Sequence, residues 1–415
     1  VNTSIPAGVR AMSGPKSLVT AAVSVAVLLL GAPAAAAEPD VVRGMQWQVT
    51  GLDLAAVHQR ATGSGVLVAV LDSGVDRSHP DLSGQVLGGP DTASNSDVDG
   101  RGTGMAGLIA GHGHVPGTPA GAVRPSPSVS AGWPAPSASP TAPADPRTAG
   151  VLGVAPGAQI LPVAFAPAPS ATGDPDALAA AIDRAVFGGA KVICVGRGVV
   201  PSSKLQASVE AAVARGVLIV AADADRAGRP FTPWPASYPG VLNAIPADRS
   251  GQVPVAPLSG RTTGVAVPGV DLITTGLGGG YRIDGGSSAA AVLAGAAAVV
   301  WSAYPKATAA QVLQRLRSTA TDAGAPGADS RFGAGMLNLK AALAANLPQE
   351  AAPSVSPSPV PPSAAPSPSA SALPVALADS RDWRRWLVAL PLLLFLGALT
   401  VWSLRSARTR REQAA

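Results

Sequence analysis

Gly65-Val66-Leu67-Val68-Ala69-Val70-Leu71-Asp72-Ser73-Gly74 is the stretch on which the fold turns. From Gly65 to Leu71 the run is apolar, rich in valine and without alternation. That pattern predicts a strand buried on both faces, as in a parallel sheet covered by helices. Asp72 then closes the strand at its C-terminal end, where ligands and catalytic groups collect in open α/β sheets. A polar residue ending a strand is the plainer reading of Asp72 taken alone, so the rest of the chain decides.

Downstream, strands and helices alternate. Residues 160–165 read as a strand and 176–187 as an amphipathic helix with Asp174 or Asp176 able to cap it. Then come a strand at 191–195, a helix at 204–215 and a strand at 217–221. Such alternation implies βαβ units and a parallel sheet with helices on both faces. Residues 288–304 form a long helix of small apolar residues, expected to be buried on most sides. Thr308-Ala309-Ala310-Gln311 fits a capping box that opens the next helix, and the domain is expected to end near Asn346. Upstream, Leu52, Leu54, Ala55 and Val57 give residues 41–62 a helical lead-in.

The two ends of the chain differ from its middle. Of 415 residues 47 are Gly and 41 Pro, so part of the length is expected to lie outside any core. The first 37 residues carry Arg10 and Lys16, a run from Leu18 to Leu30 without charge, and Ala35-Ala36-Ala37. They read as a secretory signal peptide. Residues 348–380 are a stiff, extended Pro/Ser/Ala spacer. Residues 386–404 are uncharged, end in Trp386 and Trp402, and are flanked by Arg384, Arg385 and Arg405. They read as a transmembrane helix, with 405–415 a cytoplasmic tail. The last 35 residues hold seven Arg against Asp382 and Glu412, while residues 38–380 carry slightly more acid than base. The positive charge therefore speaks for membrane topology and not for a nucleic-acid surface. The expected location is the cell membrane, single-pass, with residues 38–347 extracellular.

Two stretches inside the domain lack periodicity. Residues 112–150 hold nine prolines among Ala, Ser and Gly and are read as an extended insertion. The acidic run Asp91, Asn95, Asp97, Asp99 has oxygens suited to calcium but no recognisable ligand spacing, so it is taken as a solvated loop. No metal or cofactor is expected. Cys194 is the only cysteine. It excludes an internal disulfide, and its apolar neighbours make it a buried structural thiol.

Two further stretches bear on chemistry. Ser288 follows a glycine-rich turn, Gly285-Gly286-Ser287, and opens a helix whose dipole favours negative charge nearby. Asp99-Gly100-Arg101-Gly102-Thr103-Gly104-Met105-Ala106-Gly107-Leu108-Ile109-Ala110-Gly111 reads as a helix beginning at a glycine-rich turn. Together with Leu71-Asp72-Ser73-Gly74-Val75-Asp76, in this order, these blocks resemble the subtilase family of serine proteases. Gly153-Val154-Ala155-Pro156-Gly157-Ala158, Tyr238-Pro239-Gly240-Val241 and Val267-Pro268-Gly269 agree. With the candidate leader, spacer and anchor, the chain is most similar to the mycosins, membrane-anchored subtilases associated with type VII secretion. The resemblance covers about 41–345. It implies a seven-stranded parallel sheet, Asp72 as the orienting acid and Ser288 as the nucleophile.

The same resemblance puts Arg101 where the family has its histidine. Arginine stays protonated at ordinary pH and accepts no proton. His112 and His114 are expected at the far end of the same helix, about 15 Å away. His79 lies in Ser-His-Pro-Asp-Leu, a stretch common in the family without a catalytic role, and His58 precedes the first strand. At the substrate edge, Cys194-Val195-Gly196-Arg197-Gly198 stands for the family's Asn-Leu-Ser-Leu-Gly. At the oxyanion position, Ala-Asp-Ala-Asp replaces Ala-Ala-Gly-Asn, which puts Asp225 (or Asp223) where an amide should donate. In subtilisin, losing the histidine lowers turnover about 10⁶-fold and losing the oxyanion asparagine about 10²–10³-fold. The expectation is a catalytically impaired homologue that binds or scaffolds a polypeptide near a secretion machine, with Arg101 paired to Asp72. The alternative is an active endopeptidase using Ser288 and Asp72 with an unidentified base.

Overall fold

The computed structural model describes residues 40–88, 97–115, 148–166, 173–225 and 233–345. The chain divides into two units at residue 351, and every described residue belongs to the first. The candidate leader, spacer, membrane helix and tail lie outside the described residues. So do Asp91, Asn95 and residues 116–147 of the proline-rich stretch.

Three short helices lead in: α1 (Val41–Met45), α2 (Trp47–Gly51) and α3 (Leu54–His58). Then follow β1 (Leu67–Asp72), α4 (Arg101–Ala110), β2 (His112–His114), β3 (Ala149–Leu152), β4 (Gln159–Ala164), α5 (Pro175–Phe187), β5 (Val192–Val195), α6 (Ser203–Ala214) and β6 (Leu218–Ala222). The chain continues through β7 (Leu242–Ala247), β8 (Val265–Pro268), β9 (Leu272–Thr275), β10 (Tyr281–Asp284), α7 (Ala289–Ala303), α8 (Ala309–Ser318) and α9 (Leu339–Ala344).

The central sheet has the order β4-β1-β5-β6-β7-β8 and every pair in it is parallel. Among the described residues it has six strands, where the resemblance implied seven. Beyond β4 the chain makes only a parallel bridge, Val86 to Ile160, held by Leu87 N–H to Ile160 O and Ile160 N–H to Gln85 O, both 2.8 Å. Two smaller antiparallel ladders join β9 to β10 and β2 to β3.

Alternation along β1 explains its unbroken apolar run. Val68 and Val70 point into a core shared with Met105, Leu108 and Ile109 of α4 and with α7. Ala69 and Leu71 point the other way, against Leu178 and Ile182 of α5 and Leu205 and Val209 of α6. Each buried Val or Leu contributes about 1.5–3 kcal/mol over its exposed state, so a strand facing two cores needs both its faces apolar.

The helix ends follow their local chemistry. Asp174 caps α5 by accepting from Asp176 N–H, and Thr308 and Gln311 close a reciprocal capping box on α8. Residues 286–303 are long and apolar enough to cross a membrane, but 89% of that stretch is buried inside the domain. This is a core helix, and its alanines and glycine let it pack among β5, β6, β7 and β8.

Candidate active site

The functional groups gather where the C-terminal ends of β1, β5 and β6 meet the start of α4 and the turn into α7. Asp72 ends β1 and is fully buried. Its Oδ1 accepts the Ser73 N–H at 2.9 Å, and its Oδ2 accepts Nε of Arg101 at 3.0 Å. Nη2 of the same guanidinium donates to the Gly196 carbonyl and, at 2.6 Å, to Ser287 Oγ. One side chain thus ties β1, the segment after β5 and the turn before α7 together.

Backbone geometry puts Arg101 there. Gly100 adopts a left-handed φ of 78° at the helix cap, and at Gly102 a Cβ would run into the Gly74 carbonyl oxygen. Asp97 Oδ1 accepts from Ser73 Oγ (2.7 Å), Asp99 N–H (3.2 Å) and Gly100 N–H (3.0 Å). Its Oδ2 accepts from Thr103 N–H (2.8 Å) and Oγ1 (2.6 Å). Asp99 Oδ1 accepts the Arg101 N–H at 2.9 Å. Two carboxylates at a helix start satisfy donors that the helix leaves open and suit its positive end. The sequence reading of these aspartates as a solvated loop is corrected accordingly for Asp97 and Asp99.

The substrate-edge segment is turned inward. Arg197 is only 5% exposed; its Nη2 lies 3.1 Å from Asp99 Oδ2 and 3.5 Å from Asp72 Oδ1. Gly196 packs on Met105 with no room for a side chain, and Gly198 follows it.

Of the two candidate aspartates at the oxyanion position, Asp225 faces the site. Its Oδ1 accepts the backbone N–H of Ser287 at 3.3 Å. Asp223 points elsewhere: it accepts from Asn243 Nδ2 (3.0 Å), Ser259 N–H (2.8 Å) and Ser259 Oγ.

The hydroxyl bonded by Arg101 is that of Ser287, the neighbour of Ser288, to which the resemblance assigns the nucleophile. Ser288 is buried and its Oγ has no hydrogen-bond partner among the described residues. Nothing in a Gly-Gly-Ser-Ser string says which hydroxyl faces β1.

The histidines do not enter. His112 and His114 are not on α4, which ends at Ala110, but in β2. His112 Nε2 contacts Ser83 O at 2.8 Å and His114 Nδ1 contacts Asp81 Oδ1 at 2.6 Å. His79 bonds Gly280 O and His58 bonds Val154 O, each at 2.9 Å.

Burial pushes the Asp72 carboxyl above its ordinary value, against the opposing charges of Arg101 and then Arg197. Burial also works against the charge on Arg101, but Asp72, Asp284 and Asp225 outweigh it and raise its pKa further. Arg101 is therefore a permanent cation. It donates into the lone pair of Ser287 Oγ, the reverse of what general-base catalysis requires. The Cys194 thiol, on β5 beneath the site, is pushed well up by burial and by Asp72. Among the described residues no group of three or more His, Cys, Asp or Glu side chains is arranged to hold a metal ion.

Comparison with known proteins agrees with this architecture. The subtilase family matches residues 63–335. Subtilisin Savinase from Lederbergia lenta is 31% identical over 307 residues, 72% of this chain and 99% of that protein. Among solved structures, MycP1 with its N-terminal propeptide removed is 26% identical, with a TM-score of 0.56 over 73% of this chain and 99% of that one. A second MycP1 structure, described as a serine protease and essential component of the type VII (ESX-1) secretion system, is 25% identical, with a TM-score of 0.54 over 72% and 88%.

Proposed function

The chain belongs to the subtilase family, and we propose that within it the protein is a catalytically impaired homologue, a pseudoprotease held at the outer face of the cell membrane. The observation that carries this is the Arg101 guanidinium, which hydrogen-bonds both Asp72 and Ser287 from the place a proton acceptor must occupy. Asp225 adds a second obstacle. A carboxylate there accepts the Ser287 N–H and would repel a developing oxyanion instead of donating to it.

The same contacts bear on the role. Gly196 O and Ser287 N–H, two backbone groups at this site, are engaged by this chain's own side chains. That favours a scaffold that binds a protein partner through its surface over capture of a peptide in the cleft. The likeness to MycP1 supports a place near a type VII secretion machine. The composition of residues 1–37, 348–380 and 386–404 supports export, a spacer and a single membrane anchor, with 405–415 inside the cell.

The test is peptidase assay and phosphonate labelling of residues 38–347, native and as Arg101→His with Asp225→Asn. The reading expects no adduct on the native protein. A native adduct on Ser287 or Ser288 would overturn it.

A further inference from the structure

Arg101 is not the only cation on Asp72. Arg197 reaches the other carboxylate oxygen, and it does so from an anchorage of its own. Its Nη2 lies 3.1 Å from Asp99 Oδ2, the side chain is 5% exposed, and the segment that carries it is the one the resemblance makes the substrate edge. Asp72 Oδ1 is shared between Ser73 N–H at 2.9 Å and Arg197 Nη2 at 3.5 Å, while Oδ2 faces Arg101. Removing Arg101 therefore leaves Asp72 with a buried guanidinium still beside it.

We propose that Arg197 is a positioning residue that withholds Asp72 from hydrolytic use, a block on the site separate from those of Arg101 and Asp225. The proposal rests on the reading that this is a hydrolytic constellation without its base. An imidazole at position 101 needs Asp72 to fix its tautomer and stabilise its protonated form. Arg197 opposes both. It competes for the carboxylate, and its like charge disfavours an imidazolium nearby. The charged groups around that position are Asp72 from β1, Asp97 and Asp99 before α4, Arg197 after β5, Asp225 after β6 and Asp284 of β10, with Arg282 of β10 on the Asp99 carbonyl; the Cys194 thiol lies beneath. Arg197 is the cation among them in contact with Asp72 once position 101 is changed.

The experiment uses the full-length chain in detergent micelles carrying Arg101→His and Asp225→Asn, with Arg197 native, Arg197→Leu or Arg197→Lys. The imidazole introduced at position 101 is titrated by NMR on selectively labelled histidine, and the pair Ser287 and Ser288 is challenged with an aryl phosphonate, an adduct on either counting as labelling. With Arg197→Leu the titration moves up by about one pH unit, as removal of a close like charge requires, and labelling quickens about tenfold or more. With Arg197→Lys, which keeps the charge, both stay near the Arg197 values. Arg197→Gln repeats the neutral case should the leucine variant fold poorly. A titration that does not move with Arg197→Leu or Arg197→Gln, or that moves equally with Arg197→Lys, overturns the proposal. If the titration moves but neither serine labels, the Arg197 assignment stands and the hydrolytic ancestry read into the pair fails.

Discussion

Asp225 Oδ1 accepts the backbone N–H of Ser287 at 3.3 Å, which sets a carboxylate against the turn that opens α7. On the proposed function, replacing that carboxylate alone is expected not to restore chemistry, because Arg101 remains a donor to the Ser287 hydroxyl. Asp225→Asn is expected to leave Ser287 unlabelled by phosphonate while changing stability by no more than about 1 kcal/mol, the scale of one hydrogen bond exchanged for another. Intact-mass spectrometry and a urea melt check both halves.

The two guanidiniums on Asp72 should act as partial substitutes. Breaking a buried ion pair by removing one partner costs about 3–5 kcal/mol when the other charge is stranded. Here Arg101→Met leaves Arg197 beside the carboxylate, and a smaller loss of about 1–3 kcal/mol is expected. The double change Arg101→Met with Arg197→Met should exceed the sum of the single losses by about 1 kcal/mol or more, a coupling characteristic of groups in one network. Simple additivity in denaturant melts would mean that the two arginines do not share Asp72.

Ser287 and Ser288 separate cleanly by mutation. Ser288 Oγ is buried without a partner, so Ser288→Ala removes an unsatisfied polar atom and is expected to be neutral or stabilising by up to about 1 kcal/mol. Ser287→Ala removes the acceptor of an Arg101 N–H and is expected to destabilise by about 1–2 kcal/mol. Thermal melts of the two variants side by side decide it, and the reverse order would return the site to Ser288.

How far the sequence could be read depended on what each residue's neighbours were. Leu67 to Asp72 declared itself because a strand between two helix layers must be apolar on both faces, and Thr308 with Gln311 because a capping box is local. The pairing of Arg101 with Asp72 was legible because it needs only the two blocks to meet. The bond from Arg101 to Ser287 was not, since two adjacent serines in a glycine-rich turn look alike in sequence. Nor was Arg197: a lone arginine in a glycine-rich edge reads as exposed, and only the fold reveals Asp72 and Asp99 waiting for it. Asp97 was missed because its own position reads as loop, while its five donors lie on two other stretches, at Ser73 and at Asp99, Gly100 and Thr103.

The stability of the domain should fall on mild acidification. Burial holds the imidazoles of His58 and His79 below their usual value, and each has Nε2 at a backbone carbonyl. The unfolded chain takes up protons near pH 6.5 while the folded chain does not, so unfolding binds protons. Stability is then complete above about pH 6.5 and declines as pH falls toward the folded-state values. Thermal midpoints measured from pH 7.5 to pH 5 should drop, and His58→Gln should flatten the slope; a midpoint constant over that range would contradict this account.

The proposed function requires that no group at this site take a proton from a serine. The most direct measurement is intact-mass and peptide mass spectrometry of the native protein after prolonged exposure to a fluorophosphonate. No adduct is expected on Ser287 or Ser288, because both are buried and the group beside them, Arg101, donates to the Ser287 hydroxyl and accepts no proton. A stoichiometric adduct on either serine would contradict the proposed function and would require a base that the geometry around Asp72 does not contain.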